Sequence, residues 1–192
     1  MADAWRAASE KLAALDFELV DIDLAPFFAV ARLLYEGPWV AERRAAVGDF
    51  MDHQPTALHP VTRSILETAA EFTAVDTFNA LYRLQELRRL CSKALDGFDA
   101  LVVPSAPIFP TLRELAVDPI GPNSRLGTYT NFVNLLDLAA IAVPGPFRHD
   151  GLPAGVTLIG RAGSEPALME AARRFFPAIG GVVTTTASAR AG

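Results

Sequence analysis

The stretch that most constrains the fold is Phe98-Asp-Ala-Leu-Val-Val-Pro104, a short β-branched apolar run that opens just after a glycine and stops at a proline. Such a run, without polar alternation, reads as a strand buried on both faces, and its sheet then needs cover on both sides. The residues in front of it supply part of that cover. Between 74 and 95, Phe78, Leu81, Leu84, Leu87, Cys91 and Leu95 recur at three- and four-residue steps, with Arg83, Glu86, Arg88 and Arg89 left mostly outside. The spacing predicts one long amphipathic helix, ended by the glycine signal Asp96-Gly97.

The rest of the chain alternates in the same way. Residues 4–15 read as a surface helix, and Phe17 to Asp23 as a strand on a period near two. Leu24 to Glu36 reads as a helix halted by Gly37-Pro38, and Trp39 to Val47 as another. Phe50 to Pro60 holds two prolines and two histidines and reads as a loop; Val61 to Glu71 reads as a short helix. Prolines at 104, 107, 110, 119 and 122 predict an irregular segment over a surface or along a cleft. Thr128 to Leu138 regains helical spacing, Ala139 to Pro144 and Ala154 to Ile159 read as strands, and Glu165 to Phe176 as a last helix. The expected fold is α/β, a mixed sheet covered by helices, in one unit over 1–178; the Thr/Ala-rich stretch 179–192 is expected to be a flexible tail.

Charge and composition exclude several classes. A net charge of −5 with no Lys/Arg cluster argues against nucleic acid or an anionic membrane as partner. No apolar run approaches the roughly 20 residues that span a bilayer. The single cysteine, Cys91, fits a reducing compartment and reads as core packing, and no secretory apolar region follows Met1, so the expected location is the cytoplasm. His53, His59 and His149 fall in no metal-ligand spacing, and no G-x-G-x-x-G or P-loop is present, so neither metal nor cofactor is expected. The seven serines stand singly, without a G-x-S-x-G elbow or a neighbouring base.

One segment stands apart: Asn123, Ser124, Arg125, Thr128, Tyr129, Thr130, Asn131 and Asn134 crowd between the proline-rich stretch and a helix start. A helix N-terminus offers unpaired N–H groups, and an arginine beside it can take a carboxylate bidentately. On residue types alone, a set of caps and turns with Arg125 on the surface is the preferred reading.

The wording of the segment adds to this. Thr128 to Pro144, TYTNFVNLLDLAAIAVP, followed by Gly151-Leu-Pro-Ala-Gly155 and Gly160, resembles the C-terminal signature of the amidase-signature family. Within that family, NSRLGTYTNFVNLLDL, VVPSAP and LLYEGPWVAERRAAV at 33–47 resemble the allophanate hydrolase branch. The likeness covers roughly residues 5–176. It implies hydrolysis of the C–N bond of allophanate, a small anionic amide derived from urea, to ammonia and carbon dioxide. It also implies a serine nucleophile, a second serine in a Gly-Gly-Ser-Ser-Gly-type turn and a lysine base, all in the family's N-terminal half.

Those catalytic elements have no match in this sequence. The one glycine pair, Gly180-Gly181, has no serine beside it, and Lys11 and Lys93 lie in exposed-looking helical patterns. No residue here is therefore expected to be catalytic. The resemblance leaves Arg125 as the candidate for holding a substrate carboxylate, with Tyr129 as a second substrate contact. Two departures bear on the site: Phe109 stands where a family tyrosine can align, and Gly145-Pro146-Phe147 stands where relatives usually read Ala or Gly before Gly-Phe. The expectation is a substrate-binding half that is inactive alone and is completed by an N-terminal half, with self-association or a partner chain covering its exposed face. The alternative is a non-catalytic remnant that acts as a binding or assembly module.

Overall fold

The structure, a computed structural model, describes residues 2–178. The helices are α1 (Ala2–Ala13), α2 (Ala25–Glu36), α3 (Trp39–His53), α4 (Pro60–Glu67), α5 (Ala74–Ala94), α6 (Leu112–Val117), α7 (Gly121–Leu126), α8 (Phe132–Leu135) and α9 (Glu165–Ala178), with a 3₁₀ turn at Thr68–Glu71. The strands are β1 (Leu101–Pro104), β2 (Leu138–Pro144) and β3 (Gly155–Arg161).

The last strand in the chain is the middle one in space. The order is β1-β3-β2, with β3 antiparallel to both neighbours: Leu101 lies opposite Ile159 on one side, and Ile141 opposite Leu158 on the other. Every residue of β3 from Val156 to Gly160 is buried. One face, carrying Leu101, Val103 and Ile159, packs on Phe27 and Val30 of α2, Leu84, Leu87 and Cys91 of α5, and Phe132 of α8. Phe27 and Phe132 meet edge-tilted, with ring centroids 5.1 Å apart. The other face, carrying Val156, Leu158 and Val143, packs on Leu12 of α1 and on Leu168 and Phe175 of α9. Helices on both faces are what the unalternating run at Phe98–Pro104 requires. The mixed character expected of the sheet narrows to antiparallel pairing among the described residues, because β2 and β3 are joined by a short turn rather than a crossover.

Five sequence readings are corrected. Phe17 to Asp23 is extended but pairs with no strand, and Leu19 and Val20 are exposed. Phe17 packs with the α9 side of the sheet and Ile22 with the α2 side, so its near-alternation marks two anchors of a connector passing from one layer to the other. α3 continues to His53, its buried Met51 seating the last turn, so the loop expected from Phe50 begins at Gln54. The long helix forms as expected, but Phe78 and Leu81 face solvent rather than the core. The proline-rich stretch holds α6 and α7. Thr128 to Leu138 forms one helical turn, α8, before Asp137 turns left-handed at φ 55°. The tail expected at 179–192 lies outside the described residues. Among the described residues no helix is long and apolar enough to cross a membrane.

Phe132 is fully buried at the junction of α2, α5, α8 and the sheet. Phe132→Ala is expected to lower stability by about 3–5 kcal/mol, read from the midpoint of urea denaturation followed by circular dichroism.

Candidate functional site

The segment between β1 and β2 carries the chemistry-bearing residues, and two capping signals shape it. Thr111 and Glu114 form a reciprocal capping box that opens α6: the Glu114 N–H donates to Thr111 Oγ1 at 3.2 Å, and the Thr111 N–H donates to Glu114 Oε2 at 2.6 Å. At the start of α7, Asp118 Oδ1 accepts the N–H groups of Ile120 and Gly121 at 3.0 and 2.9 Å. The bonds from Thr111 hold the Glu114 carboxyl below the ordinary carboxylate range.

These two helices wall an open trough of about 530 Å³, whose lining includes Phe109, Pro110, Arg113, Glu114, Asp118 and Arg125. The two acids are turned onto backbone donors. Among the described residues the Arg113 and Arg125 guanidinium groups make no hydrogen bond or ion pair. A planar fork of uncommitted donors at an apolar trough is suited to a small carboxylate.

Arg148, from the turn between β2 and β3, stacks on Phe109 of the lining. Its guanidinium lies 4.7 Å from the centroid of the Phe109 ring and pairs with Asp150, while its backbone N–H donates to the Leu152 carbonyl at 2.9 Å. The stack fixes Phe109 against the β2–β3 turn. Phe109 offers the trough an apolar face and no donor.

The structure does not gather the segment from Asn123 to Asn134 into one site. Arg125 is exposed and lines the trough; Tyr129 is half-buried, its ring 6.0 Å from that of Phe28 on α2. Ser124, Thr128 and Asn131 line a second groove of about 340 Å³ against α2. Several of these residues do the capping work that their types suggest. Asn123 donates to the Pro119 carbonyl at 2.7 Å, Ser124 to Ile120 at 3.0 Å and Thr128 to Arg125 at 2.7 Å. Asn131 lies over Gly127, where a Cβ would come within 1.9 Å of its side-chain oxygen.

Sequence reasoning missed Arg113, Arg148 and both acids of the trough. The Thr111-x-x-Glu114 pattern was the available signal, since a capping box announces the helix that presents Arg113. Arg148 gave none, because its partner Phe109 is 39 residues away in sequence.

No nucleophile with a base is assembled among the described residues. Lys11 and Lys93 are exposed, and the half-buried hydroxyl pair Ser105–Thr157, 2.8 Å apart, has no basic side chain bonded to it. No cluster of metal-ligating side chains occurs among the described residues.

The amidase family model matches residues 1–169, and the chain belongs to the amidase family. Within it, the chain is 46% identical over 171 residues to the urea amidolyase of Saccharomyces cerevisiae, spanning 88% of this chain and 9% of that protein. It is 47% identical over 174 residues to the urea amidolyase of Lachancea kluyveri, spanning 90% of this chain and 10% of the other. Its fold matches Kluyveromyces lactis allophanate hydrolase with a TM-score of 0.89 at 42% identity, over 93% of this chain and 29% of that one. The chain thus spans about a tenth of the length of these curated relatives.

Cys91 is 2% exposed, and burial pushes its thiol up to about 11. In the folded chain at pH 8 it stays a protonated thiol without access. A disulfide-exchange reagent is therefore expected to label it only after urea is added, read as thionitrobenzoate absorbance; rapid labelling of the native chain would contradict the packing described.

Proposed function

We propose that this chain is the substrate-binding part of an amidase that cleaves allophanate, with the serine nucleophile, second serine and lysine base contributed by residues outside this sequence. The observation that carries the reading is the uncommitted Arg125 guanidinium at the edge of the trough, in a chain similar to allophanate hydrolase over nearly all its described length. Allophanate carries one carboxylate, borne on nitrogen, and one urea-type amide carbonyl. An arginine fork grips the carboxylate and leaves the scissile C–N bond to project toward the catalytic groups. Holding the substrate in one pose removes orientational freedom before the chemical step, which is the service a binding half can perform without touching the reacting bond.

Residues 1–178 are, on this reading, one portion of an amidase domain acting in the cytoplasm, and its fragment character follows from the missing catalytic motifs. The trough of about 530 Å³ is several times larger than a urea-derived anion needs, so the same reading has a complementing polypeptide fill the remainder. Self-association is the second mode of contact. Tyr129 is the weaker of the two substrate contacts: its ring is committed to Phe28, and only the hydroxyl is left for a ligand. The competing reading, a non-catalytic binding or assembly module, keeps the fold and gives Arg125 no substrate.

Ammonia release from allophanate separates the two. The chain alone is expected to release none, and mixing with an N-terminal half that carries the Lys and Gly-Gly-Ser-Ser elements is expected to start the reaction. In that mixture Arg125→Ala is expected to lower kcat/KM by about 10- to 100-fold, the worth of one charge-assisted pair at about 1.5–3 kcal/mol. Tyr129→Phe is expected to cost less. Silence after mixing would favour the binding module, and release by the chain alone would contradict both readings.

A further inference from the structure

At the first residue of α7 an acid takes the place of a side chain. A Cβ added to Gly121 would collide with Asp118 Oδ2, so that oxygen stands where the side chain of residue 121 would project. The other carboxylate oxygen, Oδ1, accepts the N–H groups of Ile120 and Gly121 at 3.0 and 2.9 Å and so ties the carboxylate to the helix start. Oδ2 makes no hydrogen bond or ion pair among the described residues.

Gly121 and Arg125 are four residues apart in α7, so their Cβ directions share a face, about one turn or 5.4 Å apart along the axis. Asp118 Oδ2 and the Arg125 side chain therefore rise from one face of the same helix, and both residues line the trough. They form no ion pair with each other, so neither neutralises its neighbour. Glu114 also keeps one oxygen uncommitted, but it belongs to α6 and has no such fixed relation to Arg125.

This pairing sets what binds. A ligand with a carboxylate alone meets the arginine fork and is repelled by the acid one turn away. A ligand that carries an N–H group beside its carboxylate replaces that repulsion with a hydrogen bond to a charged acceptor. We propose that Asp118 is the specificity-determining partner of Arg125: it accepts an N–H of the bound acid and selects small carboxylates bearing an amide or carbamoyl nitrogen over isosteres bearing a methyl group. The proposal rests on the reading of Arg125 as the carboxylate fork and adds the ligand class that the fork admits.

Oxamate and pyruvate test it, because these two anions have nearly the same shape and differ in an NH2 against a CH3. Each is titrated into the 192-residue chain and followed at the Arg125 Nε–H by nitrogen-15 NMR. Oxamate is expected to bind about fivefold more tightly than pyruvate, the worth of one exposed hydrogen bond. Asp118→Asn keeps Oδ1 as the acceptor that caps α7 and turns the second oxygen into an NH2 donor. Losing the charge strengthens both anions alike, so the ratio is the readout, and the preference for oxamate is expected to vanish. Gly121→Ala keeps the acid and its charge but sets a methyl group where Oδ2 stands, and it is expected to reduce the preference as well. The circular dichroism spectrum is expected to be unchanged in both variants. Equal affinity of the native chain for the two anions would overturn the proposal and leave Arg125 as a carboxylate fork. A preference that persists undiminished in Asp118→Asn would overturn it too. Failure of both anions to shift the Arg125 signal would overturn the fork reading, and the proposal with it.

Discussion

The fold depends on one strand being buried on both faces. β3 lies between β1 and β2 and buries five consecutive residues, Val156 to Gly160. The last of them is a glycine because the Ser164 hydroxyl sits where a Cβ would stand, at 2.3 Å. A strand so enclosed cannot be stable without a layer on either side, which fixes α1 and α9 on one face and α2, α5 and α8 on the other. It also decides where the segment between β1 and β2 can go. With both sheet faces taken, that segment passes over the outside, and there α6, α7 and the turn carrying Arg148 build the trough.

The trough is shaped by polar groups that satisfy one another only in part: among the described residues the Arg113 and Arg125 guanidinium groups have no partner, and the buried Arg148 Nε has none either. Glu114 takes backbone N–H groups through Oε2 and Asp118 through Oδ1, which sets α6 and α7 in defined positions and leaves one oxygen of each acid uncommitted. Arg148 spends its charge on Asp150 and its flat face on Phe109. The result is an apolar channel with uncommitted guanidinium groups, built largely from short-range caps. Such a site can keep its shape on modest secondary structure, because each cap needs only residues two or three positions away.

What the sequence made legible follows the same division between local and distant partners. The buried strand, the long helix and its glycine stop were readable because period, length and breakers are local signals. α6 went unread although Thr111-Leu-Arg-Glu114 is a local signal, because the prolines around it outweighed a helix of one and a half turns. Phe17 to Asp23 misled for the opposite reason: its alternation is genuine, but its anchors are Arg174 and the α2 core rather than strands, and nothing local distinguishes those. Phe78 was wrongly assigned to the core because repeated three-residue steps from 78 to 87 drift around the helix, which puts Phe78 on the side opposite Leu84 and Cys91. Arg125 was singled out by its motif, whereas the stack of Arg148 on Phe109, which shapes its surroundings, joins residues that only the fold brings together.

The proposed role of Arg125 is to present its guanidinium to a small carboxylate in this trough. The most direct measurement is a titration of the chain with oxamate, a carboxylate that bears an amide, followed by nitrogen-15 NMR of the arginine side chains. Saturable shifts are expected at the Arg125 Nε–H, with smaller ones at Arg113, and their loss in Arg125→Ala while the remaining spectrum is retained. Shifts spread evenly over the exposed arginines, or none at Arg125 at saturating oxamate, would contradict it.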